Sequence, residues 1–514
     1  MRKHASSERG FSQKTLRLLL GEGRRNRSSH AQKPSRSYDR TVERALLGSW
    51  RRVMRIPVLE QDAILYILSA LFALATLLFA VSADYREWGE MAAIAYLIGA
   101  SICLFFSNRQ RRGRMSSSRV GWIRRCVVVL LLFGAVVIPL VAELTWRAEA
   151  RPGANAQPEV SVIERAGDRA AHRHSPYLAK PRNVGVAPNN DARDVDVESY
   201  FPYLPGMVPF GLLNSVNLPA ELTDARVLLA GFTLVVAAIA LIASDASVGR
   251  RGRALQFLVI LPSGALPMVT GGDDLPVLAL MLLGLVLAQR RRPVLTGISL
   301  GLAATLKFTA WPLLVLLAIC IRDREDRPAP LRYGLATLLV AVPIIGAGVI
   351  SSPASFVVNV IKFPLGLTSV KSPAASPLLG QVLTNLMPGD RRLITFLLLA
   401  AGVVIACYAY GRFRPRTPAS VARFVAFVMC LATVLAPATR FGYLIYPANF
   451  IVWGYVLDGM SGRSVEGEGK DIAYSSSLTS KILNTTVLVG ATEPPASAGE
   501  SVGLADVTTA PTSQ

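Results

Sequence analysis

The chain alternates between long apolar runs and shorter polar connections. A membrane-spanning helix needs roughly 17 to 25 mostly apolar residues. Runs of about this kind lie near residues 63–83, 91–107, 126–143, 226–243, 254–270, 275–289, 333–350, 393–411, 419–437 and 443–458. The segment 294–321 is predicted to form a hairpin of two short helices, with Lys307 and Phe308 near its outer turn. The pattern predicts an all-α, polytopic membrane protein with about twelve transmembrane helices or half-helices.

The distribution of charge predicts how the helices are oriented across the membrane. The formal net charge is +21, and the Lys and Arg residues cluster in short segments between apolar runs. These segments are the N-terminus, NRQRRGRMSSSRVGWIRR, VGRRGR, the triplet Arg290 to Arg292 and RFRPR. If each run crosses once, they all fall on one side, which the positive-inside rule makes the cytoplasm. Both termini are then cytoplasmic, and topology accounts for the charge without a nucleic-acid partner.

The composition divides the chain into four regions. They are a disordered basic cytoplasmic arm (1–55), two additional N-terminal transmembrane helices (56–125), a membrane core (126–458) with outer loops 144–203 and 351–392, and a disordered cytoplasmic tail (459–514). Anionic membrane lipid is the expected contact of the arm. Chemistry is expected in the outer loops, since long loops without structure of their own tend to be functional or disordered.

The first outer loop carries acids and aromatics. Helix-like spacing in VSVIERAGDRAAHR places Glu159 at the start of an interfacial helix and Glu164 on its flank, although Gly167 weakens the prediction of a helix. Further along, Tyr200 and Tyr203 lie in a proline-rich segment that cannot form a straight helix. These rings form either an aromatic belt at the membrane interface or a platform for a sugar or lipid headgroup.

Four ionisable residues lie beside or within apolar segments. Asp273 and Asp274 follow two glycines between hydrophobic runs, Lys307 interrupts the predicted hairpin, and Arg440 lies at the outer end of a helix. Charges at bilayer depth usually face water, a partner or a substrate. Lys307 either pairs with the two aspartates or binds a lipid phosphate. The aspartates bind sugar hydroxyls, hold a divalent cation or fix nearby cations; two adjacent acids alone do not make a metal site, so none is predicted.

The second outer loop is basic although it is predicted to lie outside. Its cations are Lys362, Lys371, Arg391 and Arg392. This departs from the usual charge bias of membrane proteins, and an anionic partner would account for it.

Three pieces of sequence, in this order, resemble a known family. They are the acid-led segment from Glu159 to Glu164 that ends in Ser175, Pro176 and Tyr177; the aromatic segment from Tyr200 to Gly206; and the Gly-Gly-Asp-Asp corner from Gly271 to Asp274, followed by GISLGLAATLKFTAWPLL. Together they resemble the polytopic C-type glycosyltransferases that use polyprenyl-phosphate sugars, most closely the bacterial mannosyltransferase-like glycosyltransferase family 87. The resemblance covers roughly residues 126–458. The family usually has Asp in place of Glu159, and its catalytic loop usually follows the first membrane helix.

The resemblance implies an activity and a set of roles. It implies transfer of a hexose, mannose by family likeness, from a polyprenyl-phosphate donor to a glycolipid or polysaccharide acceptor outside the bacterial cytoplasmic membrane, with no cofactor. The roles are catalytic base for Glu159, with Glu164 as the alternative; donor-phosphate binding for Lys307 and Arg440; and sugar or acceptor binding for Asp273, Asp274, Tyr177, Tyr200 and Tyr203.

A membrane transporter or lipid flippase is the alternative interpretation. Such proteins also have many helices and a few buried charges, and they often contain inverted repeats. No internal symmetry is evident in this sequence, and the large polar loop favours an external active site. Phosphate-binding P-loops and Rossmann fingerprints are also missing from the sequence, which disfavours a nucleotide-sugar enzyme with a soluble domain.

Overall fold

The computed structural model describes most of the membrane core. The residues described are 56–150, 156–178, 199–365, 367–368, 370, 374 and 376–460. The predicted N-terminal arm, nearly all of the predicted C-terminal tail and Lys371 lie outside them.

Helices make up all of the regular structure in these residues. Numbered along the chain, they are α1 (Val58–Phe79), α2 (Ala83–Arg111), α3 (Ser117–Ala148), α4 (Pro158–Ala171), α5 (Ala225–Ala243), α6 (Val248–Ile260), α7 (Pro262–Thr270), α8 (Asp274–Gln289), α9 (Pro293–Leu306), α10 (Trp311–Arg324), α11 (Pro328–Ser351), α12 (Leu379–Leu386), α13 (Arg391–Phe413), α14 (Pro418–Leu435) and α15 (445–460). Short helical turns connect them at Pro205–Ser215, Ala220–Thr223, Phe308–Ala310, Pro353–Lys362, Pro388–Asp390 and Phe441–Leu444.

The lengths of these helices fit a bilayer. Within the described residues, 7 helices are long and apolar enough to cross a membrane, and the bent pair α6 and α7 would make an eighth. Two further apolar helices, α8 and α9, are shorter than a full span. The predicted polytopic α-helical fold is confirmed, with several of the predicted crossings present as short or broken helices.

Proline and glycine explain where the helices break. The run predicted over 254–270 is bent by 42° between α6 and α7, because Pro262 lacks the N–H that would continue the ladder of α6. The segment 294–321 forms two short helices, as predicted, and Lys307 lies in extended conformation between them.

The two additional N-terminal helices pack onto the core. Asp62 of α1 is 1% exposed and accepts hydrogen bonds from Arg124 of α3 (2.5 Å) and Gln256 of α6 (3.2 Å). On α2, the Tyr96 hydroxyl donates to the Ile260 carbonyl at 2.5 Å. The described residues from Pro57 to Met460 accordingly belong to one compact unit.

Candidate active site

A cavity of about 870 Å³ lies where several helices begin or end. Asp274 begins α8, Lys307 follows α9, and α15 starts directly after Leu444. The polar and charged residues that line the cavity are Ser69, Tyr85, Gln157, Glu159, Tyr203, Ser263, Asp273, Asp274, Lys307, Thr309, Arg440 and Tyr443. Six of the residues singled out from the sequence thus converge on one space: Glu159, Tyr203, Asp273, Asp274, Lys307 and Arg440.

Lys307 bridges the two aspartates of the corner. Its ammonium donates to Oδ1 of Asp273 at 2.8 Å and to Oδ1 of Asp274 at 2.6 Å. The same ammonium lies 5.2 Å from the ring centre of Tyr203, within cation–π range. An ammonium has three donors, so one remains for a further acceptor in the cavity.

The backbone of the Gly-Gly-Asp-Asp corner depends on Gly271. Gly271 ends α7 with a φ of +116°, a conformation that side chains other than glycine rarely adopt. A Cβ at this position would lie 2.0 Å from Cγ2 of Val160 on α4. The glycine therefore both turns the chain toward Asp273 and lets the corner approach α4.

Glu159 projects from the first turn of α4. Pro158 occupies the first helical position, and the preceding Gln157 fixes the start of the helix through a hydrogen bond from its backbone N–H to the Thr270 carbonyl (2.9 Å). Oε1 of Glu159 accepts a hydrogen bond from Nη1 of Arg440 at 2.6 Å. Oε2 is buried and has no hydrogen-bond partner among the described residues. Glu159 thus lines the cavity with one carboxylate oxygen paired and the other without a partner in the described residues.

Glu164 lies elsewhere, in a buried ion-pair network behind α4. Its two oxygens accept from Arg147 at 2.8 and 2.7 Å, and Arg147 also contacts Asp224 at 2.5 Å. Asp224 further binds Arg226, which is 0% exposed. Burial opposes ionisation of Asp224, but the hydrogen bonds and charges of Arg226 and Arg147 outweigh it and lower the pKa of this carboxyl. Glu164 therefore joins α3, α4 and α5 and does not line the cavity.

Only one of the three predicted tyrosines reaches the cavity. Tyr203 lines it beneath Lys307, whereas Tyr177 is 2% exposed and donates its hydroxyl hydrogen to the Tyr203 carbonyl at 3.1 Å. Tyr200 stacks on Phe363, with ring centres 4.3 Å apart and planes 6° from parallel. Tyr177 and Tyr200 therefore pack against Tyr203 and Phe363, which line the cavity, and their contact with a sugar or acceptor stays a prediction.

Gly167 was expected to weaken the helix, but in the structure it allows α4 to pack closely against a neighbouring segment. A Cβ there would lie 2.1 Å from the backbone carbon of Gly211, so the glycine lets α4 pack directly against the helical segment Pro205–Ser215. The predicted interfacial helix forms over Pro158–Ala171. Tertiary packing overrides the cost of glycine within a helix.

Several residues of the site were not identified from the sequence. Tyr446 donates to Oδ1 of Asp274 at 2.7 Å and also contacts Thr309 at 2.8 Å. Tyr85 of α2 accepts a hydrogen bond from Nε2 of Gln157 at 2.6 Å. Tyr446 follows Arg440 in the motif APATRFGYLIYP and could have been found there. Tyr85 lies in the additional hairpin, where no sequence signal linked it to the site.

The arrangement combines three carboxylates with two cations in a largely apolar enclosure. One carboxylate with an unused oxygen, two fixed cations and a set of hydroxyl groups are suited to proton transfer and to binding an anion. In the described parts of the chain, no group of three or more His, Cys, Asp and Glu residues is arranged to hold a metal ion.

Comparison with known proteins gives a family match and two similar structures. Residues 202–437 match the sequence model of glycosyltransferase family 87. The matched segment contains Asp273, Asp274 and Lys307, while Glu159 and Arg440 lie outside it. The predicted resemblance to this family is confirmed.

The two structures are crystal structures of ArnT from Cupriavidus metallidurans. The apo form has 18% sequence identity and a TM-score of 0.38, with 74% of this chain and 66% of that chain covered. The form bound to undecaprenyl phosphate has 17% identity and a TM-score of 0.39, with 71% and 64% covered. This chain therefore spans about two thirds of the length of ArnT. It matches none of the curated proteins.

Proposed function

We propose that this chain, whose residues 202–437 carry the pattern of glycosyltransferase family 87, is a membrane glycosyltransferase that moves a hexose from a polyprenyl-phosphate donor to a glycolipid or polysaccharide acceptor. The observation that carries the proposal is the Glu159 to Arg440 ion pair beside the Lys307 cluster. Glu159 and Arg440 are 281 positions apart in sequence, and both line the cavity that holds Lys307 and the two aspartates. Mannose as the hexose and an extracytoplasmic site follow from the family resemblance and the positive-inside rule.

In the proposed reaction, Glu159 is the general base. The acceptor hydroxyl attacks the anomeric carbon, and its proton passes to the carboxylate of Glu159. The bond between the anomeric carbon and the phosphate oxygen breaks, and its electron pair stays on polyprenyl phosphate. Two observations support this role: Glu159 lines the cavity, and its buried Oε2 oxygen has no hydrogen-bond partner among the described residues.

Arg440 and Lys307 bind the donor phosphate in this proposal. A guanidinium has five N–H donors, and only Nη1 of Arg440 is bonded to Glu159. Lys307 has one donor left after binding the aspartates. Fixed cations at the leaving group stabilise the negative charge that develops there.

The remaining polar groups bind the sugar. Asp273, Asp274 and the tyrosines Tyr203 and Tyr443 offer hydroxyl and carboxylate groups of the kind that bind sugar hydroxyls. Lys307 holds both aspartates at fixed positions. A rigid set of acceptors costs little ordering when the sugar binds.

The test is sugar transfer by the purified full-length chain in lipid. Polyprenyl-phosphate mannose and other polyprenyl-phosphate hexoses would be offered with a total lipid acceptor fraction. Glu159→Gln should lower kcat by about 10² to 10⁴-fold while donor binding persists. Asp168→Asn is the matched control, since Asp168 lies on the same helix with its side chain 46% exposed, and it should leave transfer unchanged.

Other results would overturn the proposal. If Glu159→Gln transfers sugar at the native rate, Glu159 is not the general base. If the native chain transfers no sugar from any donor but moves a lipid or sugar across the bilayer, the transporter interpretation replaces the enzyme.

A further inference from the structure

Two polar residues of the additional hairpin of α1 and α2 line the cavity: Ser69 and Tyr85. Ser69 is 4% exposed and donates its hydroxyl hydrogen to the Leu65 carbonyl of its own helix at 2.8 Å. Tyr85 is partly exposed and lies in the first turn of α2. Because Ser69 already uses its hydrogen within α1, Tyr85 is the residue of this hairpin that is suited to bind a ligand.

A buried threonine determines how the side-chain amide of Gln157 is oriented beside Tyr85. Thr270 donates its only hydroxyl hydrogen to the Leu266 carbonyl at 3.0 Å. Its oxygen can therefore only accept in the contact with Gln157, at 2.9 Å. The amide nitrogen of Gln157 must face Thr270, and the same nitrogen lies 2.6 Å from the hydroxyl oxygen of Tyr85.

Tyr85 therefore accepts a hydrogen bond and keeps its own hydrogen. A phenol hydroxyl has one hydrogen to donate and lone pairs that accept. Gln157 is a donor in this contact, and within the described residues no group accepts the hydrogen of Tyr85. The additional hairpin thus contributes one unused hydrogen-bond donor to the wall of the cavity.

This donor lies close to the proposed base. Gln157, which binds Tyr85, directly precedes α4, and the first turn of α4 carries Glu159. The phenol of Tyr85 also interacts electrostatically with Glu159 and Arg440. Since Tyr85 and Glu159 line the same cavity, a ligand hydroxyl that reaches Glu159 comes beside Tyr85.

An uncharged donor at this place suits a sugar hydroxyl. In the proposed function the donor phosphate lies at Lys307 and Arg440, whose charges stabilise an anion. A sugar hydroxyl is uncharged and can accept the single hydrogen of a phenol. The family match begins at residue 202, so it does not cover the hairpin that carries Tyr85.

We propose that Tyr85 binds the acceptor sugar, donating its hydroxyl hydrogen to an acceptor hydroxyl next to the one that Glu159 deprotonates. The inference rests on the proposed function for the identity of this ligand. Tyr85 is then a specificity-determining residue, because a site that binds a substrate hydroxyl discriminates against an analogue that lacks it. The additional hairpin thereby takes part in acceptor selection.

The test combines one hydroxyl removed from the protein with one removed from the ligand. Dissociation constants of butyl mannoside, butyl glucoside and butyl galactoside would be measured with the purified full-length chain in lipid, followed by the monodeoxy forms of the tightest binder. The proteins would be the native chain, Tyr85→Phe and Ser69→Ala. Ser69→Ala is the matched control, since it also removes a hydroxyl from the hairpin wall, but one whose hydrogen is already used.

Tyr85→Phe should weaken binding of the parent hexoside by about two- to tenfold, the usual effect of one lost hydrogen bond. One monodeoxy form should bind the native chain more weakly by a similar factor and should lose nothing further in Tyr85→Phe. Ser69→Ala should bind every hexoside with native affinity, and Tyr85→Phe should bind polyprenyl phosphate with native affinity.

Other outcomes would overturn the inference. Equal weakening of every monodeoxy form by Tyr85→Phe would show that no sugar hydroxyl contacts Tyr85. Weaker binding of polyprenyl phosphate alone would place Tyr85 at the donor, and failure of all three hexosides to bind the native chain would remove the proposed ligand. A purely structural effect, transmitted through Gln157 to α4, would lower kcat for every acceptor by one factor and leave the acceptor KM unchanged.

Transfer assays on the same preparations separate this inference from the proposed function. Hexoside binding that depends on Tyr85, without any sugar transfer by the native chain, would retain the contact and refute the enzyme. Native transfer with an acceptor KM that Tyr85→Phe does not change would retain the enzyme and refute the contact.

Discussion

Glu159 and Glu164 lie on the same helix and have different surroundings. Five residues correspond to about 140° around an α-helix, so the two side chains leave α4 in different directions. Glu159 meets Arg440 at the cavity, and Glu164 meets Arg147 in the network behind the helix. One side of α4 therefore faces the cavity of the proposed active site, and another side contacts α3 and the start of α5.

This difference gives a prediction for matched variants. Glu164→Gln should lower the free energy of unfolding by about 1 to 3 kcal/mol, because hydrogen bonds between charged groups contribute about that much. Glu159→Gln should lower it by less than about 1 kcal/mol, since its partner Arg440 is 37% exposed and can turn to water. Melting temperatures of both variants in detergent would test this. A more stable Glu164→Gln than Glu159→Gln would contradict the assignment of Glu164 to the structural network.

The helical spacing around these glutamates predicted α4 but left both of them as candidate bases. The angle between them was available from the sequence, whereas the direction of the cavity was not. That direction depends on Arg440 and Arg147, and only the tertiary fold brings either of them to α4. Lys307 shows the same limit: its two predicted alternatives, an aspartate pair or a phosphate, are compatible because the pair leaves one donor over.

At the scale of secondary-structure elements, the Gly-Gly-Asp-Asp corner needs both an unusual backbone conformation and close packing against α4. Gly271 needs its positive φ and contacts Val160. Gly113 also has a positive φ, of +67°, but a Cβ added there would meet no other atom within 4 Å. Both positions therefore need a positive φ, but only Gly271 is also packed closely against a neighbouring residue.

Substituting alanine at Gly113 and at Gly271 should separate the free-energy cost of the backbone conformation from the cost of close packing. Gly113→Ala should destabilise the fold by about 1 to 2 kcal/mol through backbone conformation alone. Gly271→Ala should add about 1 to 3 kcal/mol from overpacking against Val160 and should reduce transfer by displacing Asp273. Addition of Val160→Ala to Gly271→Ala should restore stability toward that of Gly113→Ala, as measured by melting temperature. If the second substitution restores nothing, the contact with α4 does not fix the corner.

The apolar runs predicted most elements, and the errors lie where helices break. The pattern over 254–270 gave one span, although Pro262 was visible and divides it into α6 and α7. The placement of the additional hairpin beside the cavity could not be predicted, because its apolar residues have the same pattern whether they face lipid or a cavity. Leu68 and Leu71 illustrate this, since their exposed fractions are nearly equal and only Leu68 lines the cavity.

For the whole molecule, the positions of charges along the helices predict which end of the bundle faces each side of the membrane. The cavity residues occur where α8 and α15 start and where α9 ends. Basic residues gather at the other ends, including Arg109 and Arg111 at the end of α2 and Arg322 and Arg324 at the end of α10. By the positive-inside rule we predict that the basic ends face the cytoplasm and that the cavity faces outward.

Single cysteines would test this orientation directly. Asn217, in the exposed connection before α5, is predicted to lie outside, and Arg114, in the exposed turn after α2, is predicted to lie inside. In intact cells, an impermeant thiol reagent should label Asn217→Cys above the background of the native chain, and it should label Arg114→Cys only after lysis. The native chain is the necessary control because Cys126, Cys407 and Cys430 are exposed on membrane helices. The reverse pattern would put Glu159 on the cytoplasmic side, where the acceptor would have to be an intracellular lipid, and the proposed extracytoplasmic reaction would fall.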